Sequence, residues 1–189
     1  MNFFRKKSIA VLIAVVVVVA STLLSVNVKF GAKTREVTDG FYTGQYGKYH
    51  DTASPSSHLK NICAYADGLI TIADNYGLDV EEIGWDSNAL KLAMTYSKDD
   101  IGYIYYCYSD LVADTDRLID QLYRVELSER DLKGVTQYEQ SIAGAVGALK
   151  DSNYNTVVRA FLVEYDHFPT SFLAVAAEIE MPEYFDYGW

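Results

Sequence analysis

Cysteine and histidine are scarce in this chain, which has two cysteines and three histidines among 189 residues. Cys63 and Cys107 are too few for a disulfide scaffold and too far apart in sequence for a zinc knuckle. We therefore expect two buried, reduced thiols. A single disulfide between them stays open as an alternative if the domain faces an oxidising compartment.

Motifs of catalysis and cofactor binding are also lacking. The sequence contains no Gly-x-Ser-x-Gly elbow, no phosphate loop of the Gly-x-x-x-x-Gly-Lys type and no Gly-x-Gly-x-x-Gly fingerprint. A Ser-His-Asp set is not excluded, because its members meet in space rather than in sequence. No catalytic or cofactor-binding residue is predicted.

A metal site of the di-iron type would need two Glu-x-x-His motifs and two further glutamates on facing helices. The spacing occurs at Glu164 and His167, whereas His50 and His58 follow Gly47 and Pro55 by three residues. One such motif in an acidic chain is close to chance. No metal ligand is predicted, and Glu164 is expected to be a solvated charge at a helix end.

Basic residues are few outside the N-terminal segment. Residues 1–35 contain six basic residues and no acidic one, whereas the rest of the chain contains 10 basic and 26 acidic residues. Nucleic acid binding requires basic patches, so the acidic remainder argues against a nucleic acid partner.

One long uncharged run is present, SIAVLIAVVVVVASTLLSV at residues 8–26. Its 19 residues approach the roughly 20 that a membrane-spanning helix needs, and a secretory signal has a shorter apolar core. We therefore predict a retained anchor in contact with the lipid bilayer through residues 8–28. A cleaved signal peptide is the alternative.

The charges that flank the run bear on which side of the membrane the soluble part occupies. Positive charges keep their flank in the cytoplasm, but three Lys or Arg residues lie on each side of the run. The free amino terminus favours a cytoplasmic N-terminus and an extracytoplasmic domain.

Beyond residue 57, apolar residues recur every three or four positions, and no convincing strand pattern appears. Helices are predicted at residues 58–76, 89–96 and 101–122, followed by one helix of about 40 residues with bending points at Gly144, Gly147 and residues 151–153. The expected start signals are Ser57, Ser97 and Ser128, and Gly77 is the expected end of the first of these helices.

Several amphipathic helices with short connections predict an all-α fold, a transmembrane helix followed by an antiparallel helical bundle. Residues 1–28 form the tail and anchor, and residues 29–57 are predicted to be a Gly- and Ser-rich linker. Residues 58–189 form the bundle with a C-terminal segment that folds back.

The C-terminal segment turns at Phe168-Pro169, because proline disfavours a continuing helix. The run at residues 171–177 is too short to span a bilayer. We predict a short helix that docks on the bundle, with Tyr184-Phe185 docking further along. The apolar side of this helix is predicted to comprise Phe172, Leu173, Ala176 and Ile179.

A shallow membrane contact is the alternative for this segment. It is disfavoured by the acidic residues Glu178, Glu180, Glu183 and Asp186.

The C-terminal third resembles the LemA family of membrane-anchored bacterial proteins. The family pattern has Tyr-Asn at the start of a helix, an aromatic residue, Phe-Pro, an alanine and a closing Tyr-Phe. The matching residues, at the same spacing, are Tyr154, Asn155, Phe161, Phe168, Pro169, Ala174, Tyr184 and Phe185. The first soluble helix lacks the family's Arg-rich segment and proline, so the chain resembles a divergent member.

The resemblance implies a helical bundle on an N-terminal transmembrane helix, with the bundle in the cytoplasm, opposite to the side that the charges favour. It implies no reaction. We expect a single-pass cell-membrane protein that acts as a non-catalytic interaction or scaffold module with a protein partner. The alternative is an enzyme or ligand-binding bundle with a metal-dependent interior site.

Overall fold

The computed structural model describes residues 2–167 and 169–185, with side chains described from Lys7 onward. Its first helix, α1 (Asn2–Thr43), is 42 residues long. Most large apolar side chains between Ile9 and Leu24 are exposed. This helix is long and apolar enough to cross a membrane.

The predicted linker at residues 29–57 is wrong over its first half, because α1 continues through Gly31 and Gly40 to Thr43. An apolar stripe explains the difference: Phe30, Val37 and Phe41 recur at helical spacing, and Val37 and Phe41 are buried in the core. The energy gained by burying this stripe outweighs the modest helix penalty of two glycines.

A short hairpin follows α1, formed by β1 (Gln45–Tyr46) and β2 (Tyr49–His50), with Tyr46 opposite Tyr49. Its two-residue loop begins with Gly47, whose φ of +60° suits a type II′ turn. The ring of Tyr46 lies directly on Gly40, where an added Cβ would be 2.2 Å from the Tyr46 Cδ1 atom. Gly40 is therefore a packing residue and not a hinge.

Four helices form the bundle: α2 (Pro55–Asn75), α3 (Glu81–Tyr96), α4 (Ile101–Leu122) and α5 (Glu129–Lys150). α2 packs against the other three, and α3 also packs on α4. The Tyr76 hydroxyl, just after α2, donates to Asp131 Oδ2 near the start of α5 at 2.8 Å, and the Tyr138 ring lies on Gly68, so α2 and α5 are antiparallel. The predicted all-α class is confirmed.

The helix starts differ from the predictions at two of three places. Ser128 caps α5 by accepting the N–H of Asp131, as predicted. However, α2 begins after Ser54 rather than Ser57, because Pro55 occupies its first position, and Asp100 rather than Ser97 caps α4.

α2 ends as predicted around Gly77, which has a φ of +69°. Its N–H donates to Asp74 O, and the N–H of Leu78 donates to Ala73 O. These two bonds form a Schellman motif, whose left-handed position glycine adopts without strain.

The predicted 40-residue helix is two helices, α5 and α6 (Tyr154–Tyr165), separated at residues 151–153. The break is held by Asp51 in the loop after the hairpin. Its carboxylate accepts from Asn153 Nδ2 at 2.6 Å and from the Asn153 backbone N–H. Gly144 and Gly147 remain inside α5.

The last helix, α7 (Thr170–Ala176), packs against α1 and α6. The chain then runs in extended and irregular structure to Phe185.

Candidate functional site

The segment at residues 183–185 is held by two neighbouring side chains at the start of α6. The Tyr154 hydroxyl donates to the Glu183 carbonyl at 2.9 Å, and the Phe185 N–H donates to Asn155 Oδ1 at 2.9 Å. Tyr154-Asn155 and Tyr184-Phe185 come from the two ends of the predicted motif, and the structure brings them together. We call this arrangement the C-terminal latch.

The Phe185 ring fills an aromatic cluster at the centre of the latch. Its centroid lies 5.3 Å from those of Phe41, Tyr105 and Tyr108, and Tyr154 packs edge-to-face on Phe41 at 5.1 Å. Phe185 is 6% exposed. The cluster joins α1, α4 and α6 and the chain end, and the prediction that Phe185 docks on the bundle is confirmed.

Glu183 extends the latch to α4. Its carboxylate accepts the N–H of Gly102 at 2.7 Å. Gly102 lies in the first turn of α4, whose N–H groups have no partner within the helix and whose dipole favours a negative charge. The C-terminal segment therefore contributes an electrostatic contact as well as an apolar one.

Other motif residues are separate from the latch. Phe161 stacks on Tyr165 at 4.2 Å, and Tyr165 meets Phe30 of α1 edge-to-face at 4.5 Å. Ala174 is fully buried in α7, whereas Pro169 is exposed just before it. Phe168, where the chain is predicted to turn, lies outside the described residues.

The prediction that Phe172 docks on the bundle is wrong. Phe172 is 65% exposed, and Ala176 is exposed as well. Instead, Ala174 of α7 and Ala177, which follows the helix, are buried. Periodicity correctly indicated a helix here, but the buried face is the one with the small residues.

α7 lies beside the end of the uncharged run in α1. Thr170 and Leu173 line a groove of about 430 Å³ together with residues of α1 from Ser21 to Phe30. Asn27 Nδ2 donates to the Ala177 carbonyl at 3.0 Å. A second groove of about 330 Å³ lies between α6 and α7 and includes Val163, Val175 and Met181.

Comparisons with protein-family models, with curated proteins and with solved structures found no match. The resemblance to the LemA family stays a prediction that these comparisons do not test.

Glu164 and His167, the residues of the single Glu-x-x-His spacing, lie near the C-terminal end of α6. Glu164 bonds to Lys33 Nζ at 2.7 Å, and His167 is exposed. Within residues 2–167 and 169–185, no group of three His, Cys, Asp or Glu side chains is placed to hold a metal ion.

The two cysteines are buried and are not joined by a disulfide. Cys63 contacts the Ser87 carbonyl of α3, and burial raises the pKa of its thiol to about 11. Burial also raises the pKa of the Cys107 thiol. Both thiols stay protonated at neutral pH, which makes them poor nucleophiles.

A carboxylate cluster between α3 and α4 has the clearest electrostatic perturbation. The pKa of Asp86 is raised to about 6, first by burial, then by its hydrogen bond to Asp114 and by the charges of Asp114, Asp110 and Glu82. Arg117 pairs with Asp114, which is itself buried. Sequence reasoning missed this cluster, because its members are spread over two helices without a motif.

Proposed function

We propose that this protein is a membrane-anchored interaction module, a helical bundle fixed on a single transmembrane helix that presents a protein-binding face near the membrane. The observation that carries this proposal is the continuity of α1. The same helix contains the uncharged run at residues 8–26 and contributes Val37 and Phe41 to the bundle core.

This continuity limits the motion of the bundle relative to the anchor. Val26 and Phe41 are separated by 15 residues of helix, about 22 Å at 1.5 Å per residue. A flexible linker of the same length would let the bundle tumble, whereas a helix packed into the core holds it at one height and tilt. A bound partner would therefore be held at a defined distance from the membrane.

The face that supports a protein partner lies on α3. Three large exposed side chains on α3 are seven and four positions apart in sequence, which is helical spacing: Trp85, Leu92 and Tyr96. Trp and Tyr are enriched in protein interfaces. Asp86 on the same helix and Asp110 of α4 are both partly exposed and make a partner with a basic surface the best match.

The C-terminal latch and the order of anchor and bundle support our proposal that the chain belongs to the LemA family. The predicted motif residues at its two ends meet in the C-terminal latch, and the order of anchor and bundle is the one that the resemblance implies. We further propose a single-pass location in the cell membrane. A membrane-impermeant label applied to Tyr96→Cys in intact cells identifies the side of the bundle.

Membrane attachment and partner binding are tested separately. Full-length protein should stay in the membrane pellet after an alkaline carbonate wash and should need detergent for extraction. Release by carbonate would contradict the anchor.

For the partner, a photo-reactive amino acid replaces Trp85 in one variant and Leu132 of α5 in another. α5 packs on α2 and is not among the helices that pack on α3, and Leu132 is likewise exposed. In native membranes we expect position 85 to crosslink to one discrete protein. This crosslinked product should disappear with Tyr96→Ala, and its yield should fall at high salt. Equal crosslinking from both positions would contradict a binding face on α3.

A further inference from the structure

α7 presents an apolar face that no described part of the chain covers. Phe172 is 65% exposed and Val175 is 78% exposed, and they are three residues apart on one side of the helix. Val163 of α6 is also exposed, and it lines the same groove as Val175 and Met181. These residues form one patch, which we call the α7 face.

The position of α7 along α1 places this face at the end of the uncharged run. Thr170 and Leu173 lie against residues 21–30 of α1. Ser21 precedes Val26, the end of the run, by five residues, about 8 Å of helix. Helices that lie in the membrane interface bury their apolar face about 5–10 Å into the boundary between headgroups and acyl chains. Thr170, at the start of α7, borders this part of α1.

No residue of α7 is charged, and the charged residues that line the groove between α6 and α7, Arg159 and Asp166, belong to α6 and its C-terminal end. The chain leaves α7 at Ala177, whose carbonyl is bound by Asn27, beyond the last residue of the uncharged run. Glu178 and Glu180 follow that point in the chain, and both are exposed. Lys29 lies on the α1 side of the groove between α1 and α7.

We propose that α7 is a second membrane contact, an interfacial helix that inserts Phe172 and Val175 into the bilayer beside the anchor. This inference rests on the proposed membrane attachment through α1. The occupant of the α7 face is lipid, because α7 borders α1 at residues 21–30, the end of the uncharged run that enters the bilayer. Two contacts, one spanning and one interfacial, restrict both the tilt of the bundle and its rotation about the α1 axis.

The test uses full-length protein in lipid nanodiscs, with a spin label on a single introduced cysteine. Phe172→Cys and Val175→Cys probe the α7 face. Val16→Cys reports insertion of α1, and Tyr96→Cys reports water, since Tyr42 contacts the neighbouring Lys98 about 24 Å beyond Val26. The wild-type protein, with both cysteines buried, gives the labelling background.

Each label is exposed to oxygen, which concentrates in lipid, and to a water-soluble nickel chelate. We expect labels at 172, 175 and 16 to be relaxed more by oxygen than by the chelate, and the label at 96 to show the reverse. If 16 reports lipid while 172 and 175 behave like 96, the interfacial helix is refuted and the anchor stands.

Low accessibility of 172 and 175 to both reagents would mean that protein covers the face, which also overturns the proposal. A label at 16 that reports water would refute the anchor and the interfacial helix together.

Discussion

Phe172 and Phe185 are 13 residues apart in the same C-terminal segment, yet they have opposite environments. Phe172 lies on a regular helix and is 65% exposed, whereas Phe185 lies in irregular structure and is 6% exposed. The difference comes from what lies beneath each residue. Phe185 meets three aromatic rings from α1 and α4, whereas the residues that α7 buries most fully are Ala174 and, just after the helix, Ala177.

The comparison shows that one short segment has two different environments. Residues 183–185 close the bundle through the latch, and α7 exposes Phe172 and Val175 near the end of the uncharged run. An aromatic residue on a helix is therefore not by itself a core residue. Whether it is buried depends on which face of the helix packs against the rest of the protein. In α7 the packed face contains the small residue Ala174.

The largest effect is expected from Phe185→Ala, which empties the aromatic cluster. Removal of a buried phenylalanine ring costs about 3–5 kcal/mol. Phe172→Ala is the matched control and should change the free energy of unfolding by less than about 0.5 kcal/mol, as exposed sites usually do. Denaturant unfolding of full-length protein in detergent measures both. Equal losses would contradict the contrast between the two residues.

A smaller loss is expected from Asn155→Ala, which leaves the Phe185 N–H without its acceptor. A half-buried donor that loses its partner costs about 1–3 kcal/mol. Asn155→Asp keeps an acceptor oxygen at the same place and should retain most of the stability. If the alanine variant were as stable as the aspartate variant in the same unfolding assay, the latch would be contradicted.

A gain is expected from Glu178→Gly at the junction between the two regions. Glu178 has a φ of +51° in a Schellman motif, in which its N–H donates to Val175 O and the Ile179 N–H donates to Ala174 O. A left-handed conformation costs a non-glycine residue about 1–2 kcal/mol, so glycine should stabilise by about 1 kcal/mol.

Glu180→Gly removes the same charge without a positive φ and should bring no such gain. Thermal unfolding midpoints distinguish the two variants. A similar rise in both would point to relief of negative charge rather than of backbone strain.

The smallest effect is expected from Asp86→Asn, which tests whether the electrostatics of α3 are independent of the C-terminal segment. The pKa of Asp86 in the folded protein is about 6, above its ordinary value of 3.8, so the folded state holds its proton more tightly than the unfolded state. Stability therefore falls as pH rises from about 4 to 6, and the deficit persists above pH 6.

Asn should relieve this deficit at pH 7, by less than about 1 kcal/mol after solvent screening, and should give no gain at pH 4. Unfolding curves at the two pH values measure the difference. The gain should be the same when Phe185→Ala is also present, since the stability changes at two independent sites add. A gain at pH 4 as large as that at pH 7 would show that the charge of Asp86 is not its cause.

Much of the bundle could be predicted from local signals. The apolar spacing of residues 101–122, the Ser128 cap and Gly77 each report a short-range preference that the fold keeps. Ser54 could also have been identified, since the proline after it favours the first position of a helix.

The misassigned linker has a different cause. Gly31 and Gly40 favoured a loop locally, whereas Phe30, Val37 and Phe41 form a stripe whose value depends on a distant partner. Tyr46 comes back onto Gly40, and that contact turns an apparent breaker into a packing site. No window of neighbouring residues contains this information.

The candidate sites were visible only in part. The Tyr-Phe pair near the chain end was predicted to dock, and Phe185 does so. The outward direction of α7 and the meeting of Asp86 with Asp114 depend on how whole helices face one another. Such orientations are set by packing across the fold rather than by spacing along the chain.

The most direct test of the central claim is amide hydrogen exchange over residues 29–43 of the full-length protein in lipid nanodiscs. A helix that runs from the membrane into the core should protect the amides of Val37 to Phe41 as strongly as those of α2. Exchange of these amides within the mixing time, with α2 still protected, would show a flexible linker and would contradict a rigidly mounted bundle.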